Sequence, residues 1–259
     1  MAIVGVLGRA VWQELSYTAR LCALGLAAVV IPSCAPQAQT EGDLKAPADV
    51  QQRARKDMVR WQIQARGVSD IRVLNAMRAV PRHLFVPPEF RAEAHFDGPV
   101  PIGHGQTISQ PYIVAYMTDA LHLKPTDRVL EVGTGCGYQA AVLSKLAREV
   151  YTIEIVEPLG RGAERLLKEL GYANVHVRIG DGYRGWPEAA PFDAIMVTAA
   201  PDHVPQPLID QLAPGGRLVL PVGAHWQELV RITKTDRGLS KETLLPVRFV
   251  PMTGEAEKR

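Results

Sequence analysis

From residue 128 onward, apolar residues follow two alternating rhythms. Short, nearly continuous runs recur: Val129, Leu130 and Val132; Val150 to Ile153; Val175 to Ile179; Phe192 to Val197; Arg217 to Leu220. Runs of this length and continuity predict strands buried on both faces. Between them lie stretches with the 3.6-residue period of a one-sided helix. One carries Ala140, Ala141, Val142, Leu143 and Leu146; another carries Leu159, Ala163, Leu166, Leu167 and Leu170 and stops at Gly171. Glu164 and Lys168 stand at i,i+4 on the second helix and are placed to pair. Pro207 to Leu212 reads as a short helix before Pro214-Gly215-Gly216, and Leu229 to Thr233 and Val247 to Val250 read as two further strands. Strands alternating with helices predict an α/β fold, a doubly wound and mostly parallel sheet.

Upstream, Val50, Ala54, Met58, Trp61 and Ala65 mark one helical face, ended by Gly67. Ser69 is placed to cap a second helix through Ile71, Leu74 and Met77, closed by Pro81. These two helices predict an N-terminal cap on the core. Arg82 to Gly105 is rich in proline and glycine and reads as an ordered loop with short extended pieces. A helix through Ile113, Val114, Met117 and Leu121 follows, with Pro111 at its first position and Ser109 or Gln110 at its cap. The predicted organisation is an extension and linker over 1–48 and one domain over 49–259, with cap and loop in 49–105 and the α/β core in 106–259. Within the extension, Leu21 to Ile31 is an apolar run of signal-peptide length behind Arg9 and Arg20, too short to span a bilayer. It reads either as an export leader cut near Ala35 to Ala38 or as an extension outside the fold.

Composition narrows the function classes. A formal charge of +2 over 259 residues gives no reason to expect a nucleic-acid or anionic-membrane surface. Three scattered cysteines, Cys22, Cys34 and Cys136, form neither a disulfide framework nor a zinc set, and the seven histidines include no His-Glu-x-x-His pair.

The candidate chemistry lies where the first core strand ends. Arg128 to Glu154 reads strand, Gly133-Thr134-Gly135-Cys136-Gly137, helix, strand, acid. That order describes a βαβ nucleotide site, in which glycines let the backbone turn sharply and approach a ligand and the acid about 20 residues on suits a ribose diol. Two cofactors share the geometry. A dinucleotide takes a G-x-G-x-x-G spacing whose last glycine admits a pyrophosphate; here the spacing is G-x-G-x-G and Glu131 precedes it. An acid there suits the ammonium of S-adenosylmethionine (SAM) and repels a pyrophosphate, which favours SAM over NAD. A turn with no ligand is the plain alternative. Asp181, flanked by Gly180 and Gly182, and Thr198 also fall at strand ends, so they are expected to converge with Glu131 and Glu154 on one crevice.

Several stretches resemble one family, the protein-L-isoaspartate (D-aspartate) O-methyltransferases: Val80 to Val86, Pro101 to Pro111, Val129 to Tyr138, Gly180 to Gly182, Phe192 to Pro201 and Val247 to Met252. The resemblance runs from about Val50 to the end, and its most specific part is Gly105-Gln106-Thr107-Ile108-Ser109-Gln110-Pro111. It implies a cytoplasmic, monomeric SAM-dependent enzyme that methylates the free α-carboxylate of isoaspartyl residues, and more weakly D-aspartyl residues, in damaged proteins and peptides. The methyl ester then re-forms a succinimide, whose hydrolysis returns some normal aspartate. No nucleic acid and no metal take part.

By the same resemblance Ser109 is the active-site serine, with Thr107, Ile108 and Gln110 beside the substrate. Gly133, Gly135 and Gly137 form the cofactor turn, Glu154 is the ribose acid, and Asp181 with Gly182 lies where the adenine is held. Cys136 reads as packing. From spacing alone Ser109 reads as a plain helix cap, and the resemblance favours function; Arg82 and Arg248 read either as solvated charges or as guides for an acidic peptide. Other readings are a nucleic-acid or small-molecule methyltransferase, an NAD-linked oxidoreductase and a non-catalytic binding protein. Against the first, Thr198-Ala199-Ala200-Pro201 stands where amino-methylating enzymes often carry an Asn/Asp-Pro-Pro-aromatic motif.

Overall fold

The structure is a computed structural model and describes residues 48–258. The leader-like run, Cys22, Cys34 and most of the predicted linker lie outside the described residues. Among the described residues no helix is long and apolar enough to cross a membrane.

The frame is a seven-stranded sheet. In chain order its strands are β3 (Arg128–Val132), β4 (Glu149–Glu154), β5 (Val175–Ile179), β6 (Phe192–Val197), β7 (Leu212–Val222), β8 (Gln227–Thr235) and β9 (Gly238–Val247). In space the order is β5-β4-β3-β6-β7-β8-β9. β3 to β7 run parallel, as the apolar runs predict, and β8 and β9 add antiparallel to the β7 edge. After β3 the chain moves outward one way through β4 and β5, then returns to build β6 and β7 on the other side. The switch point therefore lies between β3 and β6, where a doubly wound sheet opens its crevice.

Alternation along the strands sends side chains into two cores. Val129, Met196 and Val219 pack on one face with the cap and helices α3 (Pro111–Ala120), α4 (Tyr138–Leu143) and α5 (Glu157–Glu169). Leu130, Val132, Ile195 and Val197 pack on the other with Tyr183, Leu208 and Met252, near the short helix α6 (Gln206–Asp210). The two-helix cap and a small antiparallel hairpin, β1 (Val100–Gly103) with β2 (Gln106–Ile108), lie on the first side.

Several local expectations are corrected. The first helix, α1 (Ala48–Asp57), passes into a π-turn at Met58–Ile63. Widening the turn shifts the phase, so Met58, Val59 and Ile63 are buried while Trp61 is 61% exposed; Val50, at the open end, is 51% exposed. Gly67 does end the segment, at φ 98°. The cap of α2 (Ile71–Ala79) is Asp70 rather than Ser69, because the Asp70 carboxylate reaches the Arg72 N–H at 2.8 Å. On α5 the i,i+4 pair that closes is Arg161 with Glu157 at 2.7 Å, about two turns before Glu164 and Lys168. Pro214-Gly215-Gly216 does not precede β7 but lies inside it, where the β6–β7 register shifts. The seventh strand ends at Val247, so Arg248 to Val250 leave the sheet and approach the β6 end instead.

Under the cap, His95 is held low, to about 4, chiefly by burial and then by the charges of His83, Arg55 and Arg82. His83 is also lowered, first by burial. An unfolded chain takes these protons near 6.5 and the folded chain resists them, so stability is lost as pH falls from about 6.5 towards about 4. In thermal melts across that window, wild-type Tm should drop relative to that of His95→Gln as pH falls. An unchanged slope in the variant would place the pH dependence elsewhere.

Candidate active site

Two recesses meet at the carboxyl ends of β3 and β6. The inner one is a crevice walled by the glycine turn after β3, Glu154 to Val156 after β4, Gly182, Thr198 and the segment Val250 to Thr253, with Gln106 to Ser109 across its mouth. The outer one is a groove of about 940 Å³ walled by Arg66, Gln110, Tyr112 and Leu245 to Pro251. Thr107, Ser109, Thr198, Val250 and Pro251 border both. A molecule seated in one recess therefore faces a molecule in the other across Ser109 and Thr198.

The turn requires glycine at particular points. Gly133 has φ 100°, and a Cβ there would sit 2.3 Å from Thr198 Oγ1. Thr198 holds the turn through that oxygen, which donates to the Gly133 carbonyl at 2.8 Å and the Val132 carbonyl at 3.1 Å. Gly137, φ 88°, faces Leu167 and Ala163 of α5 instead of the crevice, so its missing side chain admits helix packing.

Glu154, 6% exposed, closes the arrangement. Its Oε2 accepts the Gly135 N–H at 2.7 Å and its Oε1 the Val156 N–H at 2.9 Å. One carboxylate thus ties the β3 turn to the β4 end, and each oxygen keeps capacity for a further hydrogen bond.

Glu131 is placed differently. It is fully buried under the turn and does not line the crevice. Thr134, which does, reaches it through Thr152: the two hydroxyls are 2.7 Å apart and Thr152 donates to Glu131 Oε2 at 2.6 Å. Burial, and then the nearby Glu154 charge, push its carboxyl up to about 8, against the pull of the Thr152 bond. Asp181 also stays out of the crevice. Its Oδ1 accepts Tyr183 N–H at 2.9 Å and its Oδ2 Glu255 N–H at 2.8 Å, so it anchors the C-terminal turn, while neighbouring Gly182 lines the site.

On the mouth, Ser109 is not a helix cap; that position belongs to Gln110, whose side chain makes no capping bond and reaches Asp97 Oδ1 at 2.8 Å instead. Arg82 is neither solvated nor at the surface: it is fully buried, whereas Arg248 is exposed on the groove. Of the predicted residues, Thr107, Ile108, Ser109, Gly133, Gly135, Glu154 and Gly182 share the crevice, Gln110 lies in the groove, and Glu131, Gly137 and Asp181 stand behind the walls. The lining of Val250 to Thr253 was not among them. It arrives because Ala200 bridges to both sides of Pro251, its N–H donating to Val250 O and its carbonyl accepting from Met252 N–H, both at 2.8 Å. Two lone apolar residues and a proline carry no periodicity that would announce such a bridge.

A glycine turn on a β3/β6 switch point, with an acid at the β4 end and an open groove beside it, defines a doubly wound α/β enzyme of the SAM-dependent methyltransferase class. The comparisons with known proteins agree. The model of the protein-L-isoaspartate(D-aspartate) O-methyltransferase family matches residues 53–257. Curated protein-L-isoaspartate O-methyltransferases are similar: one from Picosynechococcus sp. is 58% identical over 78% of this chain and 91% of its own length, and one from Opitutus terrae is 60% identical over 78% and 87%. A solved protein-L-isoaspartate O-methyltransferase matches with TM-score 0.70 and 31% identity over 78% of this chain and 67% of its own. A Plasmodium falciparum structure of that description, in complex with S-adenosyl-L-homocysteine, matches with TM-score 0.67 and 28% identity over 77% and 98%. The chain belongs to the protein-L-isoaspartate(D-aspartate) O-methyltransferase family.

Two outcomes follow from this geometry. Gly133→Ala should cost about 1–3 kcal/mol of stability, because it adds a Cβ at positive φ against Thr198, and should weaken SAM binding at least about tenfold, or 1.4 kcal/mol. Calorimetric titration together with melting measures both. Glu131 is a carboxyl raised from the ordinary range to about 8, so the stability it allows is present at low pH and is lost as pH rises from about 4.5 to about 8. Denaturant midpoints without cofactor should therefore fall as pH rises from about 6.5 to about 8, above the window in which His83 and His95 take up protons, and Glu131→Gln should remove that slope.

Proposed function

We propose that this chain transfers a methyl group from S-adenosylmethionine to the free α-carboxylate of L-isoaspartyl residues, and more weakly D-aspartyl residues, in damaged proteins and peptides. The observation that carries this reading is the pair of recesses meeting at Ser109 and Thr198, one built as a cofactor crevice and one open to a polypeptide.

The residues present fit the cofactor. Gly133 and Gly135 leave the crevice wall bare of side chains, and the remaining lone pairs of Glu154 suit a ribose diol. Val132, Ile153, Ile155 and Met252 offer apolar walls to an adenine beside Gly182. SAM bound there supplies an electrophilic methyl on a sulfonium. Glu131 does not touch the ammonium; it supports the turn from behind, accepting from Thr152, whose hydroxyl is bonded to that of Thr134. Gly137 and Asp181 take shaping roles, packing α5 and anchoring the C-terminal turn.

The acceptor needs little activation. A carboxylate with a pKa of about 4 is already ionised and nucleophilic at neutral pH, and among the described residues lining the crevice there is no histidine or lysine to act as a base. What remains is alignment and removal of water. We read Ser109 Oγ–H and the backbone N–H groups of Thr107, Ile108 and Gln110, on the wall of the two recesses, as the donors that hold the acceptor oxygens in water's stead. The domain is residues 49–259, acting as a monomer in the cytoplasm, with 1–48 as an extension; a mature N terminus found near residue 39 would move it to an exported compartment.

Labelled SAM should methylate an isoaspartyl peptide and leave its normal aspartyl twin unlabelled; equal label in both, or none, ends the reading. Ser109→Ala should lower kcat on the order of 10²-fold, as for loss of one oriented donor, with little change in SAM affinity.

A further inference from the structure

The mechanism above leaves one buried charge without a task. Arg82 follows Pro81 at the end of the cap and is 0% exposed. Its Nε donates to the Ala94 carbonyl at 2.6 Å and its Nη2 to the Ser109 carbonyl at 2.7 Å. Its guanidinium lies 4.7 Å from the centre of the Tyr138 ring. Tyr138 is the first residue of α4, directly after Gly137, and lines the cofactor crevice. Among the described residues no carboxylate pairs with Arg82, and burial pushes its pKa below the ordinary value.

Packing alone does not account for this arrangement. An unpaired cation is costly to bury, and an aliphatic side chain of similar volume would fill the space without that cost. A planar fork, however, can hold two carbonyls and a ring face at fixed separation. The Ser109 carbonyl is otherwise left out: Pro111 has no N–H, and the first bond of the α3 ladder runs from Val114 N–H to the Gln110 carbonyl. Arg82 is what holds the backbone at Ser109.

We propose that Arg82 is a positioning residue for methyl transfer, a rigid bracket that fixes the acceptor-holding Ser109 against the donor-holding turn through Tyr138. The inference rests on the reading of Ser109 and the crevice given under the proposed function. The bracket sets the distance between two loops that come from different parts of the chain. A displacement on the order of 1 Å between reacting groups costs about 10²-fold in rate.

The test uses the full chain with Arg82→Met and Arg82→Lys, and a core control, Leu74→Ala, which lies in the cap away from both recesses. Activities are compared at a temperature where all remain folded. Arg82→Met should lower kcat at saturating peptide and SAM by about 10- to 100-fold, with SAM affinity nearly unchanged. Arg82→Lys, which keeps the charge but loses the fork, should fall between Arg82→Met and wild type. Amide exchange, which needs no substrate, should show protection lost at 107–110 and kept at 133–137 in both variants. Wild-type kcat in Arg82→Met, or an equal loss of kcat in Leu74→Ala, would overturn the bracket. So would exchange rising equally at both loops. If wild type fails to discriminate isoaspartyl from aspartyl peptide, the proposed substrate falls, and the exchange pattern still decides the role of Arg82.

Discussion

One carboxylate keeps the two sides of the cofactor crevice in register. Glu154 ends β4, yet it accepts an N–H from the turn after β3 and another from its own exit toward α5. Those amides lie at chain ends where no ladder or helix partner is available, and a buried amide left unpaired is costly. The bond to Gly135 exists only if the backbone passes close, which is why that segment is glycine-rich; Thr198 then locks the same turn from the β6 side. The switch point of a doubly wound sheet supplies the gap. Glu154 and Thr198 give it a fixed shape.

Charge is managed in opposite ways on the two sides of this gap. Beneath the turn, Glu131 is buried so fully that its carboxyl is pushed up to about 8 and stays largely neutral near pH 7. In front of it, Arg82 cannot escape its charge in the same way, because a guanidinium does not deprotonate in proteins. It is held instead by two carbonyls, through Nε and Nη2, and by a ring face, while its Nη1 has no hydrogen-bond partner. This second arrangement holds a loop that no regular element holds.

The long connection between cap and core is therefore part of the site. Residues from Pro81 to Pro111 include two short 3-10 turns and a hairpin, and they are tied down by side chains from several segments: Arg82 to Ala94 and Ser109, Gln110 to Asp97, and Gln62 to the His95 carbonyl at 2.8 Å. Such a segment is ordered without being periodic. This explains why it can present Ser109 to two recesses at once, and why its composition alone reads only as a loop.

Much of this was legible in the chain. The five parallel strands, the glycine turn with its following helix, and Glu154 all announce themselves because strand and helix periods and the absence of Cβ are local properties. Ser109 was legible through the resemblance of its segment, not through its chemistry. What the tertiary structure decided is where partners come from. It moved Trp61 to solvent through a π-turn and gave the α2 cap to Asp70. It put Glu131, Gly137 and Asp181 behind the crevice and Val250 to Thr253 along it. It also buried Arg82 between two loops. Each of these depends on contacts between residues distant in the chain, and a pattern read along one dimension cannot carry the direction in which a side chain meets them.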